Sequence, residues 1–201
     1  MRYLFIITLF ILTLFAKEAL ITNGVLEVTI KKDGKIYTIK RDVEEIPKEY
    51  LKPLRGKIAP MVIEKGIETL GELEVIDYFK KSEKDNSILL VDARTEDWYE
   101  KIHIPSAINI AYTNFTNKEN AIETAILEFD VEKKKDNSLD FSKAKTLIIY
   151  CNGVWCAQSE MLIKKAKFSL LKLGYPKDKI KYYRGGMQSW VTLGLSTAKG
   201  E

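Results

Sequence analysis

The chain has 201 residues, 46% hydrophobic and 30% charged, with 32 Lys and Arg against 28 Asp and Glu and a net charge of +4. Charges of both signs are interleaved throughout, so nothing argues for a nucleic acid or a membrane surface as partner. His103 is the only histidine, which leaves no His-rich metal site to assemble, and no Walker loop or dinucleotide fingerprint is present; neither a metal nor a cofactor is expected.

In chain order, Met1-Arg2 precedes an uninterrupted run of apolar residues and threonine from Tyr3 to Phe15, and Ala16 offers a small residue before Lys17-Glu18. This outlines a secretory signal peptide over residues 1–16, because the run falls short of the roughly 18 to 20 residues a membrane span needs. The expectation is an exported, periplasmic protein with no stable membrane insertion after cleavage. Leu14, where a small residue is preferred, keeps an uncleaved N-terminal anchor as the alternative. With no cysteine nearby, lipoprotein anchoring is excluded.

Leu26, Val28 and Ile30 alternate with polar residues, and Ile36-Tyr37-Thr38-Ile39 follows beyond Asp33-Gly34. Asp-Gly between two such runs signals a β-hairpin. This hairpin, with an irregular stretch through Pro47, Pro53 and Pro60, forms an expected N-terminal extension over 17–64, ahead of a main domain over 65–201. There, Glu72 to Lys81 reads as a helix and Ile88-Leu89-Leu90-Val91 as a buried strand. Thr95 caps a short helix through Glu100, and Ile108-Asn109-Ile110 forms another strand. Ile122, Ala125, Ile126 and Phe129 share one face of a helix. Lys133-Lys134-Lys135, followed by Asp136-Asn137, reads as a solvated loop, and the sequon Asn114-Phe115-Thr116 as chance. A strand at Leu147-Ile148-Ile149-Tyr150 leads through Cys151-Asn152-Gly153-Val154-Trp155-Cys156 into a helix from Ser159 to Leu173, stopped by Gly174 and Pro176. Ile180 to Tyr183 is a last strand and Gly186 to Leu193 a last helix. Strands alternating with helices predict an α/β fold with a mostly parallel sheet, whose ligands bind at the carboxyl ends of the strands.

Cys151 lies at such an end, in front of a helix N-terminus whose free NH groups favour an anion. The bland alternative is a buried structural thiol. Cys156, five residues on, would close too small a loop to serve as a structural staple. It is either a packed hydrophobe or a resolving thiol that makes the pair a redox element.

Val91-Asp92-Ala93-Arg94, Trp98-Tyr99 and His103-Ile104-Pro105-Ser106-Ala107-Ile108-Asn109, then Tyr150-Cys151, then Tyr183-Arg184-Gly185-Gly186-Met187 with Trp190 and Gly194 occur in order. Together these motifs resemble the rhodanese-like domain family, with Ile102 and Ser106 in place of two of its usual glycines. The resemblance implies a single rhodanese-like domain, exported, with a sulfurtransferase or sulfur-carrier activity. Cys151 would accept a sulfane sulfur as a persulfide from a small donor, thiosulfate or polysulfide, and pass it to a thiol acceptor. It also implies a backbone amide cradle over Asn152, Gly153, Val154, Trp155, Cys156 and Ala157, extending toward Ser159. Asp92 and Arg94 would hold the loop in shape or form a structural ion pair. Ala157 stands where a cysteine phosphatase would need arginine. The loop also carries no cation to hold a sulfonate, which leaves the donor open, and a non-catalytic binding module stays as a third reading. Nothing in the sequence names a protein partner.

Overall fold

The structure, a computed structural model, describes residues 19–51 and 57–200. The expected signal segment and Pro53 lie outside the described residues. Five parallel strands form the central sheet: β3 (Glu68–Leu70), β4 (Ile88–Asp92), β5 (Ile108–Asn109), β8 (Thr146–Tyr150) and β9 (Ile180–Tyr183), in the order β3-β9-β8-β4-β5. Strand β4 is buried at every residue and β8 at all but its first, as expected of near-continuous apolar runs covered on both faces. One face packs on α3 (Lys118–Phe129) and the helical turns that follow β8. The other packs on α1 (Glu72–Lys81) and α6 (Gly186–Thr192), and it also receives an N-terminal hairpin.

That hairpin joins β1 (Glu27–Lys32) to β2 (Lys35–Lys40), antiparallel, through Asp33 and Gly34. Both turn residues have positive φ, 51° and 77°, the geometry that suits the twist of paired strands and that Asp-Gly adopts readily. Val28, Ile30 and Ile39 join Val75, Phe79 and Trp190 in one apolar cluster. The hairpin is tied down a second time where Lys40 and Ser196 exchange hydrogen bonds, Ser196 N donating to Lys40 O at 2.9 Å and Lys40 N to Ser196 Oγ at 3.0 Å.

Two local expectations are corrected and a third is refined. In α3 the buried residues are Ala121, Thr124, Ala125 and Phe129, so Ile122 and Ile126 flank the packed face. The lysine run is exposed, as expected of a solvated loop; it runs into the turn of a small ribbon, β6 (Glu132–Lys133) with β7 (Leu139–Asp140), in which Asn137 N bonds Lys134 O at 3.0 Å. The expected helix from Ser159 to Leu173 is broken. Its first turn, α4 (Gln158–Glu160), widens at Met161–Lys165, where Ala166 N reaches back to Met161 O at 2.8 Å. Phe168 N then bonds Phe115 O at 3.0 Å, and α5 (Leu170–Leu173) starts afresh. The buried positions Leu162, Ile163, Ala166 and Leu170 keep helical spacing across the break, which is why periodicity did not reveal it.

Ile39 is fully buried whereas Ile36, three residues earlier, is 72% exposed. In urea unfolding Ile39→Ala is expected to lose about 2–5 kcal/mol, and Ile36→Ala less than about 0.5 kcal/mol. Equal losses would show that the hairpin does not fold onto the sheet.

Candidate functional site

Because the sheet is parallel, Asp92 of β4, Tyr150 of β8 and Tyr183 of β9 end on one edge, and Cys151 leaves β8 there. Helix α6 fixes the turn that follows: Met187 N donates to Cys151 O and Gln188 N to Asn152 O, both at 2.9 Å. This approach explains the second glycine of Gly185-Gly186. Gly186 has φ +56°, and a Cβ there would lie 2.2 Å from Cys151 O and 2.7 Å from Gly153 N. With their carbonyls held by α6, Cys151 and Asn152 begin a turn closed by Cys156 N donating to Gly153 O at 2.9 Å.

Cys151 is 2% exposed and Cys156 6%, and both are free thiols. Burial opposes ionisation of Cys151. Against it act the Cys156 and Ser159 side chains and the Ser159 and Gly153 amides, and these hold the Cys151 thiol down at about 7. Ser159 Oγ is buried without a hydrogen-bond partner, so no other group competes for that hydroxyl. The groups that bear on the thiol are thus Gly153, Cys156 and Ser159, and Val154, Trp155 and Ala157 complete the turn. Cys156 is pushed far up by its interaction with Cys151 and by burial, so in this pair Cys156 keeps the proton. Its Sγ also lies 3.5 Å from Gln158 Oε1, while Cys151 Sγ lies 3.4 Å from Cys156 O.

Asp92 and Arg94 form a fully buried ion pair, with Arg94 Nη2 2.6 Å and Nε 2.8 Å from the carboxylate oxygens. The other edge of the guanidinium reaches the cysteine turn: Nη1 donates to Asn152 Oδ1 at 3.2 Å and to Tyr50 OH at 2.9 Å. Tyr50 OH in turn donates to Asn152 Oδ1 at 2.9 Å. The ion pair and the bracing of the loop are therefore one arrangement rather than alternatives.

Tyr50 was not foreseen, and neither was the segment after it. Ala59 N donates to Val154 O at 2.6 Å, Arg184 Nε to Ala59 O at 3.0 Å, and Gln188 Nε2 to Tyr50 O at 3.2 Å. The N-terminal segment thus touches the turn at two points. A cavity of about 270 Å³ opens between residues 57–60 and Cys156, Ala157, Glu160 and Lys165. Trp155 faces elsewhere, donating Nε1 to Gln188 Oε1 at 2.8 Å.

His103 is buried, stacked on Tyr99 with Nδ1 3.0 Å from Tyr99 O, and burial lowers its pKa; it plays a packing role. Ser106 stands at a glycine position of the resemblance and still adopts φ +66°, a left-handed conformation that costs roughly 1–2 kcal/mol for a residue with a Cβ. Ile102 is extended at φ −159° and needs no glycine. Among the described residues, no group of three or more His, Cys, Asp or Glu could hold a metal ion. No helix among them is long and apolar enough to cross a membrane.

A doubly covered parallel sheet with a cysteine turn at its carboxyl edge, locked by a Gly-Gly helix start, defines the class of α/β domain. A family model of the rhodanese-like domain matches residues 75–193, and the chain belongs to that family. Among solved structures it is similar to a protein of Bacillus halodurans, 24% identical with a TM-score of 0.45, over 66% of this chain and 77% of that one. It is also similar to a thiosulfate sulfurtransferase from Pseudomonas aeruginosa, 18% identical with a TM-score of 0.45, over 68% of this chain and 21% of that one. A polysulfide-sulfur transferase homodimer from Wolinella succinogenes is 17% identical with a TM-score of 0.41, over 68% of this chain and 82% of that one. No curated protein matches the chain.

Two substitutions test the bracing. Gly186→Ala must displace Cys151 O or Gly153 N, so the alkylation rate of Cys151 by iodoacetamide at pH 7 is expected to fall about fivefold, the loss of thiolate when a pKa of about 7 rises by one unit. An unchanged rate would show that the close approach does not set the thiol. Asp92→Asn leaves the Arg94 charge buried without its counterion. Calorimetric or denaturant unfolding is expected to show a loss of about 3–5 kcal/mol, and a loss under about 1 kcal/mol would mean the pair is solvated.

Proposed function

We propose that the protein is a sulfurtransferase or sulfur carrier that forms a persulfide on Cys151. The observation carrying this reading is a thiol almost fully buried and yet held down at about 7 by donors aimed at its sulfur. A buried cysteine without such donors would be pushed up and inert. In the first step the Cys151 thiolate attacks the outer, sulfane sulfur of the donor. The new S–S bond forms as the donor's S–S bond breaks, and the electron pair leaves with sulfite or a shortened polysulfide. In the second step an acceptor thiolate attacks the outer sulfur of the persulfide, and Cys151 leaves as its thiolate. The net change is transfer of one neutral sulfur atom, with no outside oxidant. The donors that favour the thiolate equally favour the persulfide anion, so burial does not force either to neutralise.

A second reading follows from the interaction of the two neighbouring thiols: Cys156 attacks the inner sulfur of the Cys151 persulfide, hydrosulfide leaves with the electron pair, and a disulfide closes. Intact mass after incubation with thiosulfate or polysulfide separates the two. Persulfide formation is expected to add about 32 Da to wild type and Cys156→Ser but not to Cys151→Ser. Loss of two hydrogens that requires both cysteines would establish the redox pair instead. The loading rate should follow the deprotonated fraction, rising with pH through about 7. A rise centred near the ordinary thiol value of about 8.5 would remove the donors from the account.

A further inference from the structure

The cavity beside the cysteine turn has a wall that the family segment does not supply. Residues 57–60 precede the 75–193 match, yet they line this cavity together with Cys156, Ala157, Glu160 and Lys165. The wall is held in place, since Ala59 bonds to Val154 O through its N and to Arg184 Nε through its O. At about 270 Å³ the space lies near the lower end of sites for drug-sized ligands, roughly 300–1,000 Å³, and has ample room for a small anion. Its charge is not balanced. The Glu160 carboxylate is already matched by Lys165 at 2.6 Å and Lys164 at 3.8 Å. Lys57, which also lines the cavity, is exposed. Ile58, Ala59 and Pro60 add apolar surface. Cys151 itself does not line the cavity, but its sulfur is 3.4 Å from the carbonyl of Cys156, which does.

We propose that this cavity is the donor subsite and that Lys57, from the N-terminal extension, is the cation that selects a small anion bearing a terminal sulfane sulfur. The cysteine turn has no cation of its own, and the extension brings one to it. The proposal rests on the persulfide reading for the identity of the ligand, while the cavity's preference for an anion can be read without it. Thiosulfate and hydropolysulfide share the required chemistry, a negative charge next to a transferable sulfur.

The experiment compares wild type, Lys57→Gln and Lys57→Arg in two assays. The first measures alkylation by iodoacetate and by iodoacetamide, resolved to Cys151 and Cys156 by peptide mass; the reagents differ in charge but little in size. Lys57→Gln is expected to lower the iodoacetate-to-iodoacetamide rate ratio about fivefold, the effect of one nearby charge in water, and Lys57→Arg to restore it. An unchanged ratio in Lys57→Gln overturns the inference, whatever the second assay gives. The second measures the donor concentration that half-loads Cys151, for thiosulfate and for polysulfide separately. Lys57→Gln should raise that concentration about fivefold for the anion used, without changing the rate at saturation. Equal half-loading in Lys57→Gln and wild type also overturns it. If the ratio falls but neither anion loads the wild type, the anion subsite stands and the persulfide reading fails.

Discussion

The guanidinium of Arg94, fully shielded from water, is the interaction on which the site depends. A buried charge is tolerated only when its counterion and its remaining donors are all satisfied. Here Asp92 takes two of them, Ile102 O takes Nη2 at 2.5 Å, and Tyr50 and Asn152 share Nη1. Each partner belongs to a different part of the chain: the end of β4, the residue after α2 (Glu96–Lys101), the N-terminal segment and the cysteine turn. Asn109 extends the frame to β5, donating Nδ2 to Asp92 O at 3.1 Å and Arg94 O at 2.9 Å. Completing one ion pair therefore fixes four segments at once. Asn152, adjacent to Cys151, cannot turn without leaving a charged donor unpaired.

From that frame follows the state of the thiol. Burial alone would make Cys151 an inert apolar side chain. What reverses this is orientation: α6 holds the carbonyls of residues 151 and 152, and the amides of Gly153 and Ser159 act on the sulfur instead. Short-range geometry thus sets the sign of the pKa shift, and a turn of the same residues without the α6 contacts would lack it. Cys156 fits the same logic. Its thiol stays protonated because a thiolate lies beside it, so it stabilises its neighbour's charge from a position where a second anion could not exist.

Much of this was legible in the sequence wherever a local rule applied. Asp33-Gly34 marked a hairpin because few other pairs accept two positive φ values, and the apolar run before Cys151 marked a central strand because both its faces are covered. Gly185-Gly186 carried a signal too, since a glycine pair at a helix start implies a close neighbour, although the neighbour's identity, Cys151 O, came only from the fold. Tyr50 left no such trace. Its contact with Asn152 spans 102 residues, and no periodicity links an irregular proline-containing stretch to a distant turn. In α3 the rule itself misled: Ala121 and Thr124 are small enough to lie closest to the sheet, so the larger Ile122 and Ile126 were displaced to the flanks.

The distribution of roles along the chain has a physical basis. Holding an anion on sulfur requires amides fixed to within tenths of an ångström, and that precision comes from a turn whose ends are set by a strand and a helix close in sequence. Choosing which anion arrives is helped by a charge that stays hydrated until a ligand displaces the water, and the turn from Cys151 to Cys156, although Val154 and Trp155 are only half-buried, contains no lysine or arginine. A surface segment that meets the turn can carry such a charge. Residues 57–60 occupy that position, anchored by Ala59 and leaving Lys57 exposed. The turn thus has only to hold its thiol, while a charge beside it is left to the segment that meets it at Val154.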